Sequence, residues 1–301
     1  MRRQFLLSAC AAIGLVAAGC GMDSTSSPPT TNSPTTVTVP STTVPVTEPV
    51  TTVPVTDPVT TATQPAATDV VRVYFLKAEL LQVEGRSVPA ATAAEAVRAV
   101  LAGPTAAERA AGVTSLIPAG TTLHGVIVDG NEATVDLSAE FASGGGSLSV
   151  TGRVAQVVFT VTQFEGVDTV HFAIDGTVVR ELTGEGFAVD AVHRLDLADM
   201  IPIILMETPW AGQTVGQPIT VSGVSNTFEA QVNYQLLAPD GTILTAGYLM
   251  ATSGTGTWGT FDATLDPLPA GTTGDVTVRL FEVSPKDGEH INITEAVVHL
   301  A

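Results

Sequence analysis

The sequence predicts a mixed α/β (α+β) module followed by an all-β, immunoglobulin-like sandwich, the pair set behind a disordered N-terminal stalk. Three observations carry this. Residues 69–186 alternate β-prone runs with helical apolar spacing, the pattern of a sheet with helices packed on it. From Ile203 onward, seven short β-prone runs follow one another between turn signals, which is the signature of a sandwich. Residues 23–68, by contrast, are almost wholly Thr, Val, Pro, Ser and Ala, and frequent proline forbids both helix and sheet ladders.

At the N-terminus, Met1-Arg-Arg3 precedes an apolar run from Phe5 to Ala18. That run is too short to span a bilayer as a free helix, and residues 1–19 read as a signal peptide. The small residues Ala17-Ala18-Gly19 before Cys20 resemble a bacterial lipobox. The resemblance implies a diacylglyceryl thioether on Cys20, and with it a lipid anchor on the extracytoplasmic face of the cell membrane. Cys10 lies inside the segment that would be removed, so the mature chain is expected to have no disulfide and to depend on burial for stability. Residues 20–68 form the lipid-anchored linker. It contains a near-duplication, Thr43-Val-Pro-Val-Thr-Glu-Pro-Val-Thr51 and Thr52-Val-Pro-Val-Thr-Asp-Pro-Val-Thr60. Polyproline II at about 3.1 Å per residue gives this stalk a reach of up to roughly 140 Å.

The first module occupies residues 69–186. Val71 to Leu76 alternates and reads as a strand, and Leu80 to Val83 continues as a short extended piece. Thr92-x-x-Glu95 is a capping box for a helix from Ala93 to Ala102, closed by Gly103 and Pro104; Thr105-x-x-Glu108 repeats the device for a shorter helix ending at Gly112. Thr122–Val128 and Ala133–Leu137 flank Asp129-Gly130-Asn131, a strong hairpin signal. The chain then crosses Gly144-Gly-Gly146 and enters Arg153–Phe164. There Val154, Val157, Val158 and Val161 fall at helical spacing, which predicts a helix against β-branched propensity. Strands at Thr169–Ile174 and Thr177–Leu182, joined at Asp175-Gly176, complete one mixed sheet with helices on one face.

Several residues of this module sit in a recognisable order: Asp136-Leu-Ser-x-Glu-Phe141, Gly145-Gly-Ser147, Arg153-x-x-Gln-x-x-Phe-Thr-x-Thr-Gln-Phe164 and Phe172-x-Ile-Asp-Gly176, with Gly103-Pro104 and Ile117-Pro-x-Gly-Thr121 upstream. In these motifs the module resembles the GerMN, or sporulation and spore germination, domain. The resemblance implies a compact α/β fold. The polar residues it marks as candidates for binding are Asp136, Glu140, Arg153, Gln156 and Gln163. Asp136 and Glu140 are expected to cap local turns and pair with Arg153, and the alternative is a carboxylate pair for acid–base work. The glycine loop reads as a flexible connection; it lacks a P-loop lysine and Rossmann spacing.

Residues 187–201, with Asp190, Arg194, Asp196 and Asp199, read as a connector. The sandwich follows over residues 202–301, with strands expected at Ile203–Met206, Ile219–Val224, Ala230–Leu237, Ile243–Leu249, Gly259–Leu265, Asp275–Glu282 and Ile291–Leu300. Pro218-Ile-Thr-Val-Ser-Gly223, Phe228-Glu-Ala230, Gly259-x-Phe261 and Phe281-Glu-x-Ser284 are similar to the immunoglobulin-like module that follows GerMN domains in spore-germination-type lipoproteins. Trp258 is expected in the core.

The formal charge of −18 disfavours nucleic acid and bare anionic lipid headgroups as partners. It falls mainly on the two modules, with 14 acids against 7 bases in residues 69–186 and 13 against 3 in residues 187–301. The five histidines are scattered without zinc-type spacing, and no nucleophile elbow is present, so neither a catalytic residue nor a metal or other cofactor is assigned. The leading expectation is a non-enzymatic, membrane-anchored envelope lipoprotein whose modules bind a cell-wall glycan or an envelope protein. The alternatives are a scaffold that self-associates or docks into an envelope assembly, and a peptidoglycan-active enzyme using Asp136 and Glu140.

Overall fold

The first two strands form a hairpin: β1 (Asp69–Lys77) and β2 (Leu80–Val88) are antiparallel from Asp69 opposite Val88 to Lys77 opposite Leu80. The computed structural model describes residues 68–182 and 186–301. The signal segment, Cys20 and all but the last residue of the stalk therefore lie outside the described residues. α1 (Ala93–Leu101) follows, with Thr92 accepting from the Glu95 amide, and then α2 (Ala106–Ala110), where Thr105 and Glu108 form a complete capping box. The first cap is only half of the expected box, because the Glu95 carboxylate turns to Arg98 instead. β3 (Val113–Thr114) pairs with the end of β1, giving the order β2-β1-β3.

A second sheet begins with the predicted hairpin, β4 (Leu123–Asp129) and β5 (Glu132–Leu137), joined by a two-residue loop. β6 (Thr169–Ile174) lies parallel to β5, and β7 (Thr177–Val179) closes the order β4-β5-β6-β7. A parallel pair needs a crossover. Here it consists of a 3-10 turn at Ala139–Ala142, the glycine loop and α3 (Ser147–Val161). The single mixed sheet expected from the sequence is thus two separate sheets, and α3 packs against both β1 and β6. Every residue of α3 from Gly152 to Val161 is buried. A helix apolar or internally satisfied all round belongs in a core, and this burial overrides the weak helical propensity of its valines. α3 also starts six residues before Arg153, because Ser147, Ser149 and Thr151 dilute the apolar period that marks the rest of the helix. At Gly152 a Cβ would lie 2.5 Å from Leu116 and 3.2 Å from Leu76, so close approach requires glycine there.

The expected connector is part of this module. β8 (Glu181–Leu182) pairs with β9 (Phe187–Ala188), Val192 bridges to Val170, and a 3-10 segment at Arg194–Met200 buries Leu197 and Met200 against the same core. Its charged residues disguised this in the sequence, since only every third or fourth side chain points inward.

The second module is the expected sandwich. β10 (Ile204–Thr208) and β11 (Thr214–Val215) are followed by β12 (Thr220–Ser225), β13 (Gln231–Leu237), β14 (Ile243–Met250), β15 (Gly259–Thr264), β16 (Gly274–Val283) and β17 (His290–Leu300). The three-stranded sheet has the order β10-β12-β15 and the five-stranded sheet β11-β17-β16-β13-β14. β11, only two residues long and parallel to β17, is the strand that periodicity cannot reveal. Val232, Tyr234 and Leu236 of β13 face the core with Val276, Val278 and Leu280 of β16, while Gln231, Asn233 and Gln235 alternate outward. The described residues belong to one compact unit. Trp258 is half-buried, packing on the apolar cluster that runs from the first module through Leu205 rather than on the sandwich core. Trp210 lies over Gly85 of β2, where any Cβ would overlap its indole. No described helix is long and apolar enough to cross a membrane.

Candidate functional site

Of the five candidate residues in the folded region, Arg153 and Gln156 are buried and Gln163 is half-buried. Arg153 is 1% exposed and meets no carboxylate within ion-pair distance among the described residues. Its Nη1 donates to the carbonyls of Phe141 at 2.6 Å and Ser143 at 2.8 Å, and its Nη2 to Gly144 at 2.6 Å. Nε and Nη2 also reach Ser149, at the carbonyl and hydroxyl respectively. The expected pairing with Asp136 and Glu140 is replaced by a carbonyl cage, which suits the planar fork of five donors. This cage ties down the glycine loop. Gly145 has φ +87°, and a Cβ there would sit 2.6 Å from the guanidinium, so the position is fixed as glycine by both conformation and space.

Gln156 and Gln163 complete the open edge of β1. Gln156 Nε2 donates to the Tyr74 carbonyl at 3.1 Å, and its Oε1 accepts from the Leu116 amide at 2.8 Å. Ser115 closes the same network from the side. Thr160 Oγ1 accepts from the Tyr74 amide at 3.3 Å. Gln163 accepts from the Arg72 amide at 2.8 Å and donates to the Arg72 carbonyl at 2.7 Å. β2 satisfies one side of β1 and β3 reaches only Leu76 and Lys77 of the other. Side chains of α3 and of Gln163 just beyond it therefore substitute for a missing strand, as buried backbone groups require. In the Arg-x-x-Gln-x-x-Phe-Thr-x-Thr-Gln pattern of residues 153–163, Arg153, Gln156, Thr160 and Gln163 are thus engaged in bonds to the backbone that hold the fold.

Asp136 and Glu140 lie at the surface. Asp136 Oδ1 accepts from the Gly176 amide at 2.9 Å, capping the Asp175-Gly176 turn. His124 stands 3.7 Å from Asp136 and 3.8 Å from Asp175. Glu140 is exposed, and its carboxyl is held below the ordinary range by the Ser138 hydroxyl, with His124 adding a smaller effect. Among the described residues, no group of three or more His, Cys, Asp or Glu is placed to hold a metal ion.

Sequence reasoning missed a part-buried ionic knot between the modules. Glu207 of β10 accepts from the Tyr74 hydroxyl of β1 and, at 2.7 Å, from Arg194 Nη1. Arg194 also donates to Thr162 Oγ1 at 2.6 Å and lies 4.7 Å from the Phe159 ring centroid. Burial, followed by the charge of Glu207, pushes the Tyr74 phenol above its ordinary value. Burial, the largest single influence, opposes the charge of Glu207, but Arg194, the Tyr74 hydroxyl and Arg72 together hold the carboxyl below the usual range. Three residues 133 positions apart at the extremes offer no local signal.

The exposed aromatic side chains lie on the second module. Tyr248 and Phe228, 65% and 52% exposed, are the two exposed aromatic side chains among the described residues. Both flank the outer row of β13.

Comparison with known proteins places these features in families. Residues 72–180 match the Germane model, described as sporulation and spore germination. Residues 203–289 match Gmad2, described as an immunoglobulin-like domain of bacterial spore germination. The chain therefore joins a segment matched by the Germane (GerMN) model to a segment matched by the Gmad2 model, and neither family description names an enzymatic activity. Among solved structures it is similar to the tandem GerMN domains of the sporulation protein GerM from Bacillus subtilis, with 19% identity, 61% of this chain and 59% of that one covered, and a TM-score of 0.38. The first GerMN domain of the same protein gives 23% identity, 43% and 100% coverage, and a TM-score of 0.35. Comparison with curated proteins found no match.

Proposed function

We propose that the protein is a non-enzymatic envelope lipoprotein, anchored through Cys20 on the extracytoplasmic face of the cell membrane, that binds a cell-wall glycan or an envelope protein. The observation that carries binding is the concentration of exposed aromatic side chains beside a row of outward amides on the Gmad2 domain, an arrangement with little structural purpose of its own. In the GerMN domain, by contrast, Arg153, Gln156 and Gln163 are engaged by the backbone, while Asp136 and Glu140 lie at the surface. The stalk gives the domains reach from the membrane into the wall.

Co-sedimentation of the full chain with intact peptidoglycan sacculi, at low and high salt, tests the reading. Salt-resistant pelleting is the expected result. Failure to pellet at either salt overturns wall binding and leaves an envelope protein as the ligand. Replacing Cys20 by Ser is expected to move the protein from the membrane fraction to the medium.

A second reading, self-association, has its own observation. β4 is an edge strand whose Ile127 and Val128 are 71% and 50% exposed, and an apolar open edge is a template for strand pairing. Concentration-dependent sedimentation that disappears in Ile127→Lys would favour this reading.

A further inference from the structure

We propose that the outer face of the five-stranded sheet binds an uncharged polysaccharide of pyranose rings, with Tyr248 as the stacking platform and the cleft beside Phe228 receiving a small ring substituent such as an acetamido group. The proposal rests on the wall-binding reading above and gives it a place and a chemistry.

The register puts the groups on one surface. Tyr248 lies opposite Asn233 and Met250 opposite Gln231 across the β13–β14 ladder, while Asn233 and Gln235 face Phe281 and Arg279 across β13–β16. Directly opposed residues share a face, and alternate residues of one strand are about 7 Å apart. Gln231, Asn233 and Gln235 therefore make a straight polar track of about 14 Å alongside an exposed tyrosine. This is the pairing that a sugar needs: an aromatic face for the apolar C–H side of the ring, and planar donors and acceptors for its hydroxyls.

The amides are held but not consumed. Gln231 Nε2 donates to Asn233 Oδ1 at 2.9 Å, and Gln235 Oε1 accepts from Arg279 at 3.2 Å. Gln231 Oε1, Asn233 Nδ2 and Gln235 Nε2 keep no partner among the described residues. Beside this track a cavity of about 100 Å³ opens between Phe228, Gln231, Asn233, Glu282 and Val283. Its wall is held by left-handed backbone at Glu229 (φ 54°) and Ala230 (φ 59°). Such strain at non-glycine residues concentrates where a surface must keep a set shape. The Glu282 carboxylate at its rim is already engaged by the Phe228 amide and Asn292, each at 2.8 Å.

Charge selects the class of ligand. In a chain of formal charge −18, the one cation on this track, Arg279, is neutralised by Glu295 at 2.5 Å. A face whose one cation is paired and whose cleft is bordered by Glu229 and Glu282, inside a protein that repels anions, fits a neutral chain rather than an anionic one. A peptide adding to the open edge of β14 would use backbone groups in the plane of the sheet, whereas Tyr248, the amides and the Phe228 cleft point out of that plane.

The test uses the full chain with intact sacculi, with sacculi stripped of stem peptides by an amidase, and with soluble chitohexaose as a competitor. The expected results are pelleting with both preparations, competition by chitohexaose, and binding at least tenfold weaker in Tyr248→Ala. Tyr248→Phe, which keeps the ring, is expected to stay within threefold of the parent. The Gln231→Ala, Asn233→Ala double variant supplies a second weakening that does not touch β14, and unchanged circular dichroism confirms the fold in each. Pelleting of Tyr248→Ala and of the double variant at parental strength would overturn the assignment of this face while leaving wall binding intact. Loss of parental pelleting when stem peptides are removed would overturn the glycan in favour of a peptide. Failure of the parent to pellet at all would overturn the underlying reading.

Discussion

The amides of the α3 segment and the amides of β13 are the same chemical groups in opposite circumstances. Gln156 and Gln163 are surrounded by backbone: each donates and accepts toward β1, and Gln156 is wholly buried. Gln231, Asn233 and Gln235 bond to one another and to Arg279, leaving half of their capacity facing water. The first set is spent in closing the edge of a sheet that lacks a strand, and the second remains available to a ligand. Residue type does not separate the two; the accounting of donors and acceptors does.

The difference predicts where substitutions act. The largest effect is expected at the charged extreme of the buried set. Glu207→Ala strands Arg194 without its carboxylate in an apolar setting and is expected to cost about 3–5 kcal/mol. Calorimetry should show the variant unfolding well below the parent, and a separation of the two domains into two transitions would follow from losing this knot. Next comes Gln156→Leu, which leaves the Tyr74 carbonyl and the Leu116 amide unpaired at a cost of about 2–4 kcal/mol, read by urea denaturation. A loss under 1 kcal/mol would mean that β1 finds other partners and that the helix is not acting as its strand.

A smaller, pH-dependent effect is expected at Glu84. Burial, reinforced by nearby Glu108, lifts its carboxyl to about 7, against the favourable charges of Arg86 and Lys77. Its folded pKa exceeds its unfolded one, so the folded state binds the extra proton. The contribution is complete below the unfolded carboxylate range, near pH 4.5, and is lost as pH rises through about 7. Glu84→Gln removes the titration. The stability of the variant relative to the parent is expected to rise by about 1–2 kcal/mol between pH 5 and pH 8, with thermal melts at the two pH values as the check. The smallest effect on stability belongs to Tyr248→Ala, expected within about 0.5 kcal/mol as for surface substitutions.

What the sequence disclosed follows the same division. Local chemistry was legible: the Thr105–Glu108 capping box, the hairpin at Gly130-Asn131 and the alternation of β13 all stand where composition and spacing put them. Readings that depended on distant partners failed. The acid partners expected for Arg153, Asp136 and Glu140, are replaced by carbonyls of the loop it closes, because the donors of a guanidinium can be filled by carbonyls as well as by carboxylates. The charged run from Asp190 to Asp199 reads as a linker, yet Val192, Leu197 and Met200 bury into the GerMN core. The single sheet expected for the first module divides because α3 takes a strand's place between the two halves, which no periodicity reports. The outer face of β13 and β14 was visible only as alternation; that its aromatics are the exposed ones depends on how every other ring packs.

The most direct measurement compares pelleting on sacculi for the parent, Gln156→Leu and Tyr248→Ala at a temperature where all three are folded. The account predicts that Gln156→Leu pellets like the parent despite its lower stability, while Tyr248→Ala stays in the supernatant despite its parental stability. Parental pelleting by Tyr248→Ala together with loss in folded Gln156→Leu would contradict it and place recognition on the GerMN domain.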